Sequence, residues 1–359
     1  MATYPHIDAG ERLCLAYLQG KCSSKTCQRA HEEPQWRQLL PSVPRDDEDP
    51  NYALSFDFEG TEWLPFLEAH SYVVLRGIVP AEDCDGVVAE FQDRVNELRG
   101  AAGIAGPAID FQQPSAEAWE TENWPMRSKF LVNEPALGPR AFAARTLPQV
   151  HAVWSRIFGT DKLWSSVDAL GIMRATRALP HADGTFADRL DWEVSLPPHW
   201  DCSPWEYTRE LAKGYPRKYQ GLVALVDTPE EVGGFCVVPG MARHLPLWLA
   251  KVPEPAQPVH SYHPSDKAVT DRMQRVPLRK GDLVIWDNGC THANFRNTSS
   301  EAMRLALYLR YMPADPLSAR RDSRAPNLML EQYGHLLPPD VFADLSPRAR
   351  RLLSLDKYS

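Results

Sequence analysis

From about residue 165 onward the sequence is a succession of short β-rich runs, "LGIMRA", "GLVALVD", "GFCVVPG", "DLVIWDN" and "MRLALYLRYM", parted by Gly, Pro, Asn and Asp. Runs of this length and spacing predict a sandwich or barrel. Upstream, "SYVVLRGIVP" reads as a β-branched strand. The stretch "AEDCDGVVAEFQDRVNELRG" that follows reads as an amphipathic helix entered through Pro80, with Val87, Val88, Phe91, Val95 and Leu98 on one face. The expected fold class is therefore mainly β with flanking helices. A chain of 359 residues, 43% of them hydrophobic, suffices for one large core and a smaller appendage.

The appendage is expected at residues 10–35, where "CLAYLQGKCSSKTCQRAH" places Cys14, Cys22, Cys27 and His31 in a C-x7-C-x4-C-x3-H spacing. Three thiolates and one imidazole suit a closed tetrahedral structural zinc site. The segment resembles CCCH zinc fingers, with Tyr17 three residues after the first cysteine and Gly20 placed for a turn before the second. That resemblance implies single-stranded RNA or a protein as the finger's partner; Arg29, however, stands where the family usually carries a stacking aromatic. Residues 36–59, rich in proline and acid around "PSVPRDDEDPNYA", read as a linker, 60–315 as the main domain, and 316–359 as a C-terminal helical extension.

The net charge of −8 argues against a surface that is nucleic-acid-binding throughout. Seven cysteines, an odd number, do not read as a disulfide framework. No apolar run reaches the roughly 18 residues that span a bilayer, and "MATYPHIDAGERL" lacks the apolar stretch of a secretory signal. An intracellular protein, cytoplasmic or nuclear, with no membrane partner is expected.

Chemistry concentrates in "PPHWDCSPW" and "GDLVIWDNGCTHANF". On an extended strand His199 and Asp201 share one face, with Trp200 between them pointing the other way. His292 follows a strand ending near Trp286, where a loop can bring its imidazole to the same ion. Two histidines and one carboxylate leave one face of an octahedral ion open, as non-heme Fe(II) oxygenases require. Twelve residues further on, Arg304 opens "RLALYLRYM", whose alternation places Arg304, Ala306 and Tyr308 on one strand face. An arginine facing a barrel interior calls for an anion, and the distal carboxylate of 2-oxoglutarate suits its two-pronged guanidinium.

Taken in order, "FLEAHSYVVLRGIVPAEDCDGVV", "PPHWD", "GGFCVVPGMARH", "GDLVIWDNGCTHANFRN" and "RLALYLRYMP" resemble the phytanoyl-CoA dioxygenase family of Fe(II)/2-oxoglutarate-dependent oxygenases, over about residues 60–313. The resemblance implies a double-stranded β-helix, or jelly-roll, core with iron on His199, Asp201 and His292 and with 2-oxoglutarate on Arg304. Asn294 stands where the family often has a serine touching the co-substrate, and Lys129 and Met173 are candidates for lining its pocket. Ascorbate is a candidate reductant. The implied reaction is oxidation, by hydroxylation, of a small organic substrate with release of succinate and CO2. Asp201 sets the chain apart from relatives that halogenate, in which a small residue replaces the acid. An RNA-modifying oxygenase recruited by the finger, and a non-catalytic RNA- or protein-binding scaffold, are the alternatives. Loops 101–126 and 176–198 are where substrate selection is expected.

Overall fold

The computed structural model describes residues 35–125, 131–132, 138–257, 259–321, 325–326, 330–331 and 341–358. The finger candidates Cys14, Cys22, Cys27 and His31, and Lys129, lie outside the described residues. The expected mainly β architecture with flanking helices is observed.

Two sheets organise the domain. The larger has six strands in the order β1 (Tyr72–Leu75), β11 (Leu283–Asp287), β8 (Tyr219–Ala224), β13 (Arg304–Leu309), β4 (Leu170–Met173) and β2 (Leu131–Val132). The smaller has four, in the order β10 (Gln274–Arg275), β9 (Gly234–Val237), β12 (His292–Phe295) and β7 (Leu196–His199). Two short ribbons, β3 (Leu163–Ser165) with β14 (Tyr311–Pro313) and β5 (Leu179–Pro180) with β6 (Phe186–Ala187), complete the strands. All pairings within these sheets are antiparallel.

Period-two alternation divides the large sheet's residues between two cores. Val73, Leu75, Val223, Leu283, Ile285, Leu305 and Leu307 join the cluster that includes helices α1 (Trp63–His70), α2 (Ala81–Ala101) and α3 (Pro148–Phe158). Their neighbours Tyr72, Val74, Leu222, Ala224, Val284, Trp286 and Ala306 pack instead with Phe235 and Val237 of the small sheet. The sheet is thus buried on both faces, which is why its strands read as nearly continuous apolar runs. Helix α2 presents Val87, Val88, Phe91 and Val95 to the core as expected, but Arg99 is buried in place of Leu98. The Arg99 guanidinium donates through Nε to Asn123 O at 2.8 Å and through Nη1 to Asn96 Oδ1 at 3.2 Å, so the buried charged group is held by two of its three nitrogens.

Residues 36–59, expected as a linker, pack on the domain. Trp36, Leu40, Val43 and Ala53 are buried in the same core as the small sheet. Val43 N–H donates to Gln274 Oε1 at 2.9 Å and Ala53 N–H to Pro277 O at 3.0 Å. The acidic "DDED" that suggested a solvated tether is partly used in pairing, because Arg76 and Arg279 both meet Asp46, at 3.2 and 3.0 Å. At the other end of the chain the helix Pro347–Leu352 places Leu352 in the main core, and Leu163 N–H donates to Tyr358 Oη at 3.2 Å.

Candidate metal centre

His199 and His292 are direct cross-strand partners on β7 and β12, with ring centroids 4.3 Å apart. His292, expected to be brought to the ion by a loop after the strand ending near Trp286, is the first residue of β12, and that loop is the turn before it. Asp201 lies one residue past the Trp200 bridge, in a bend rather than on an extended strand, and its Oδ1 and Oδ2 reach His199 Nε2 at 3.3 Å and His292 Nε2 at 3.5 Å. Three donor atoms therefore converge within 4.8 Å of one another.

Each imidazole is oriented by a backbone carbonyl: Pro197 O at 2.8 Å from His199 Nδ1, and Cys290 O at 3.2 Å from His292 Nδ1. A carbonyl only accepts, so both Nδ1 atoms carry hydrogen, and in the neutral rings both Nε2 lone pairs face the carboxylate. Two lone pairs aimed at an anion repel it unless a cation sits between them. A divalent ion on this donor set resolves the conflict, and the carbonyl-to-Nδ1 bonds are the usual outer support of metal-bound histidine. The electrostatics agree with a shared charge. Burial alone would raise the Asp201 pKa, but when His199 and His292 carry a proton on the facing Nε2 their hydrogen bonds hold it far below the ordinary carboxylate range, so the carboxylate favours positive charge at that place. Burial lowers His292 more than Asp201 raises it. At His199 burial is outweighed by Asp201 and by the Pro197 carbonyl, and the pKa rises. Both histidines are buried, whereas the Asp201 side chain is 38% exposed, so the group opens to solvent on the carboxylate side.

The turn between β11 and β12 is tied to the segment carrying Asp201. Trp200 Nε1–H donates to Gly289 O at 2.9 Å and Cys202 Sγ lies 3.8 Å from Asn288 O, so the residues on either side of Asp201 both grip this turn. Asp287 holds the turn from within, accepting from Tyr207 Oη at 2.9 Å, Gly289 N–H at 2.7 Å and Arg217 Nη1 at 2.6 Å. Trp200 itself packs among Trp205, Trp248 and Tyr262, away from the histidines as alternation requires.

Arg304 is 1% exposed on β13, on the same face as Ala306 and Tyr308. Its Nη2 donates to Asn294 Oδ1 at 3.2 Å and to Tyr308 Oη at 3.3 Å, and Tyr308 Oη donates to Asn294 at 3.0 Å. Asn294 is two residues along β12 from His292, which links the arginine to the histidine pair. Met173 is the register partner of Arg304 and is buried beside it. The guanidinium lies against Gly171, where a Cβ would come within 2.5 Å of Nη1, so the chain leaves the space the arginine uses. No local pattern in the sequence points to Asp287, Gly171, Gln220 or His263, whose ring centroid is 5.5 Å from that of His199, as neighbours of the site, with one exception. Of these, Gln220 carried a signal: it is a polar residue at an inward phase of the apolar run "YQGLVALV".

Two antiparallel sheets thus carry a two-histidine, one-carboxylate cluster whose donor set could hold a metal ion. Residues 68–306 match the family model for phytanoyl-CoA dioxygenase, and the chain belongs to that family. A putative phytanoyl-CoA dioxygenase of Dictyostelium discoideum is 23% identical over 282 residues, covering 71% of this chain and 76% of the relative. Among solved structures, the hypothetical protein JW0805 from Escherichia coli superposes with a TM-score of 0.54 at 14% identity over 80% of each chain. GlcNAc Inducible Gene 2 from Candida albicans superposes at 0.51 and 12% identity, over 91% of this chain and 83% of that one. At these identities the two structures bear on the fold alone. No helix among the described residues is long and apolar enough to cross a membrane.

Proposed function

We propose that the chain is a jelly-roll Fe(II)/2-oxoglutarate-dependent dioxygenase that hydroxylates a small organic substrate, with release of succinate and CO2. The observation that carries this reading is the convergence of one ligand atom each from His199, Asp201 and His292 within 4.8 Å of one another, a donor set suited to a divalent ion. Iron would be held by His199, Asp201 and His292, and 2-oxoglutarate by Arg304, with Asn294, Met173 and Lys129 lining its pocket. Bound there, the ferrous ion supplies the redox chemistry that couples decarboxylation of the co-substrate to oxidation of the substrate.

The chain's own part is positioning and exclusion of water. Asn294 and Tyr308 hold the guanidinium in one orientation, so that a carboxylate meets a preset fork rather than a free side chain. Trp286, with its ring 5.1 Å from that of His292, and Phe235, at 6.3 Å, wall the histidine pair with apolar surface. For the N-terminal segment the reading is a structural zinc on Cys14, Cys22, Cys27 and His31, separate from the iron. A small-molecule substrate is favoured over RNA by the net charge of −8.

Asp201→Ala tests the reading. It removes the only anionic ligand, so Fe(II) retention should fall at least about tenfold and 2-oxoglutarate turnover should cease. Turnover equal to that of the unaltered protein, followed as succinate released from purified protein with Fe(II) and a metabolite extract, would remove Asp201 from the site.

A further inference from the structure

Gln220 of β8 and Trp286 of β11 are register partners on the large sheet, at the inward phase shared with Leu222 and Val284. Gln220 is 6% exposed and Trp286 2%. The Gln220 amide has a single orientation. Its Oε1 accepts from Arg310 Nη2 at 3.0 Å, and since a guanidinium cannot accept, the amide NH2 must be the end that faces elsewhere. Among the described residues that Nε2 has no hydrogen-bond partner, and neither has the indole Nε1 of Trp286. The indole ring lies 5.1 Å from the His292 ring and 4.6 Å from Phe235, at the edge of the proposed metal site. A buried donor without an acceptor is costly, and two of them at neighbouring cross-strand positions would both be satisfied by one acceptor placed between them.

We propose that Gln220 Nε2 and Trp286 Nε1 form a two-donor site for a carbonyl-type oxygen, that of a carboxylate or an amide, on the molecule to be oxidised. This rests on the oxygenase reading above and narrows it: the substrate carries an sp2 oxygen and is not a hydrocarbon or a simple amine. Two uncharged donors accept such an oxygen whether or not it is ionised. Arg310, itself facing Asp168 at 3.8 Å, acts through Gln220 by fixing which end of the amide faces the ligand. The keto-acid end of 2-oxoglutarate offers the same chemistry, and the experiment separates the two sources.

The full chain, with its tryptophans 15N-labelled and Zn(II) added as a diamagnetic stand-in for iron, reports directly through the Trp286 indole resonance, assigned by Trp286→Phe. Acetate and acetamide are the probes, each titrated with and without saturating 2-oxoglutarate. Both probes are expected to move that resonance under both conditions, and Gln220→Leu is expected to weaken their binding about tenfold, the loss of one hydrogen bond to a buried acceptor. The other tryptophan resonances of the variant should keep their positions, which shows that it is folded. No movement with either probe, or movement that Gln220→Leu leaves unchanged, overturns the site. If 2-oxoglutarate itself moves the resonance through Gln220 and blocks both probes, the oxygen belongs to the co-substrate and the substrate assignment is overturned. If 2-oxoglutarate does not bind while acetate still moves the resonance, the oxygenase reading falls and the donor pair stands.

Discussion

Arg304 is bounded by glycine on two sides: a Cβ at Gly171 would lie 2.5 Å from its Nη1, and one at Gly234 would lie 3.1 Å from its Nε. Gly234 also has a φ of +91°, a conformation that side chains rarely adopt, so Gly171 is the cleaner site for a test. Gly171→Ala is expected to push the guanidinium off Asn294 and Tyr308 and to raise the 2-oxoglutarate concentration needed for half-saturation about tenfold, with a stability loss of about 1–3 kcal/mol from overpacking. Isothermal titration and thermal melting read the two effects separately, and an unchanged affinity would show that Arg304 does not set it. At this scale the sequence was partly legible. The alternation of Arg304, Ala306 and Tyr308 could be read directly, because strand parity is a local property, and so could the identities of His199, Asp201 and His292. The space left by Gly171 could not, because it depends on the register between β4 and β13, which no local pattern encodes.

The element that joins the two halves of the site is the turn from Asp287 to Thr291. It is short, it ends at a candidate ligand, and its Asn288 and Gly289 carbonyls face the side chains flanking another. Asp287→Asn keeps the size of the side chain but loses the charge and one acceptor shared among Tyr207, Gly289 and Arg217. Such charged hydrogen bonds contribute about 1.5–3 kcal/mol each. Metal affinity, measured with Co(II), is therefore expected to fall about tenfold while circular dichroism remains that of the native fold. Equal affinity in the two proteins would mean that the turn holds its shape without Asp287. A turn at "WDNGC" was evident from its Asn and Gly; that its aspartate is buried and gathers three donors was not, since Tyr207 and Arg217 come from a distant helix and loop.

The molecule as a whole extends further toward the N-terminus than its charge pattern suggested. A chain beginning at Gln35 keeps Trp36, Leu40 and Val43 in the core and is expected to melt like the full-length protein. One beginning at Asp46 loses all three, and removal of a buried tryptophan alone costs about 3–5 kcal/mol. The melting temperatures of the two truncations decide the point, and a chain from Asp46 as stable as one from Gln35 would contradict the observed packing. A last consequence follows from β7, the outermost strand of the small sheet, written Leu-Pro-Pro-His and matched to β12 only at Leu196 and His199, with a register shift between them. Its two prolines cannot donate to the ladder, so an ion shared by His199 and His292 would act as a rivet between strands that the backbone joins weakly. Stripping the ion with a chelator is then expected to expose residues 196–203 to protease cleavage before any other part of the domain, an order that peptide mapping would reveal. A protein fastened in this way has a working lifetime governed by metal supply, so that scarcity of iron would deplete the molecule itself as well as idle it.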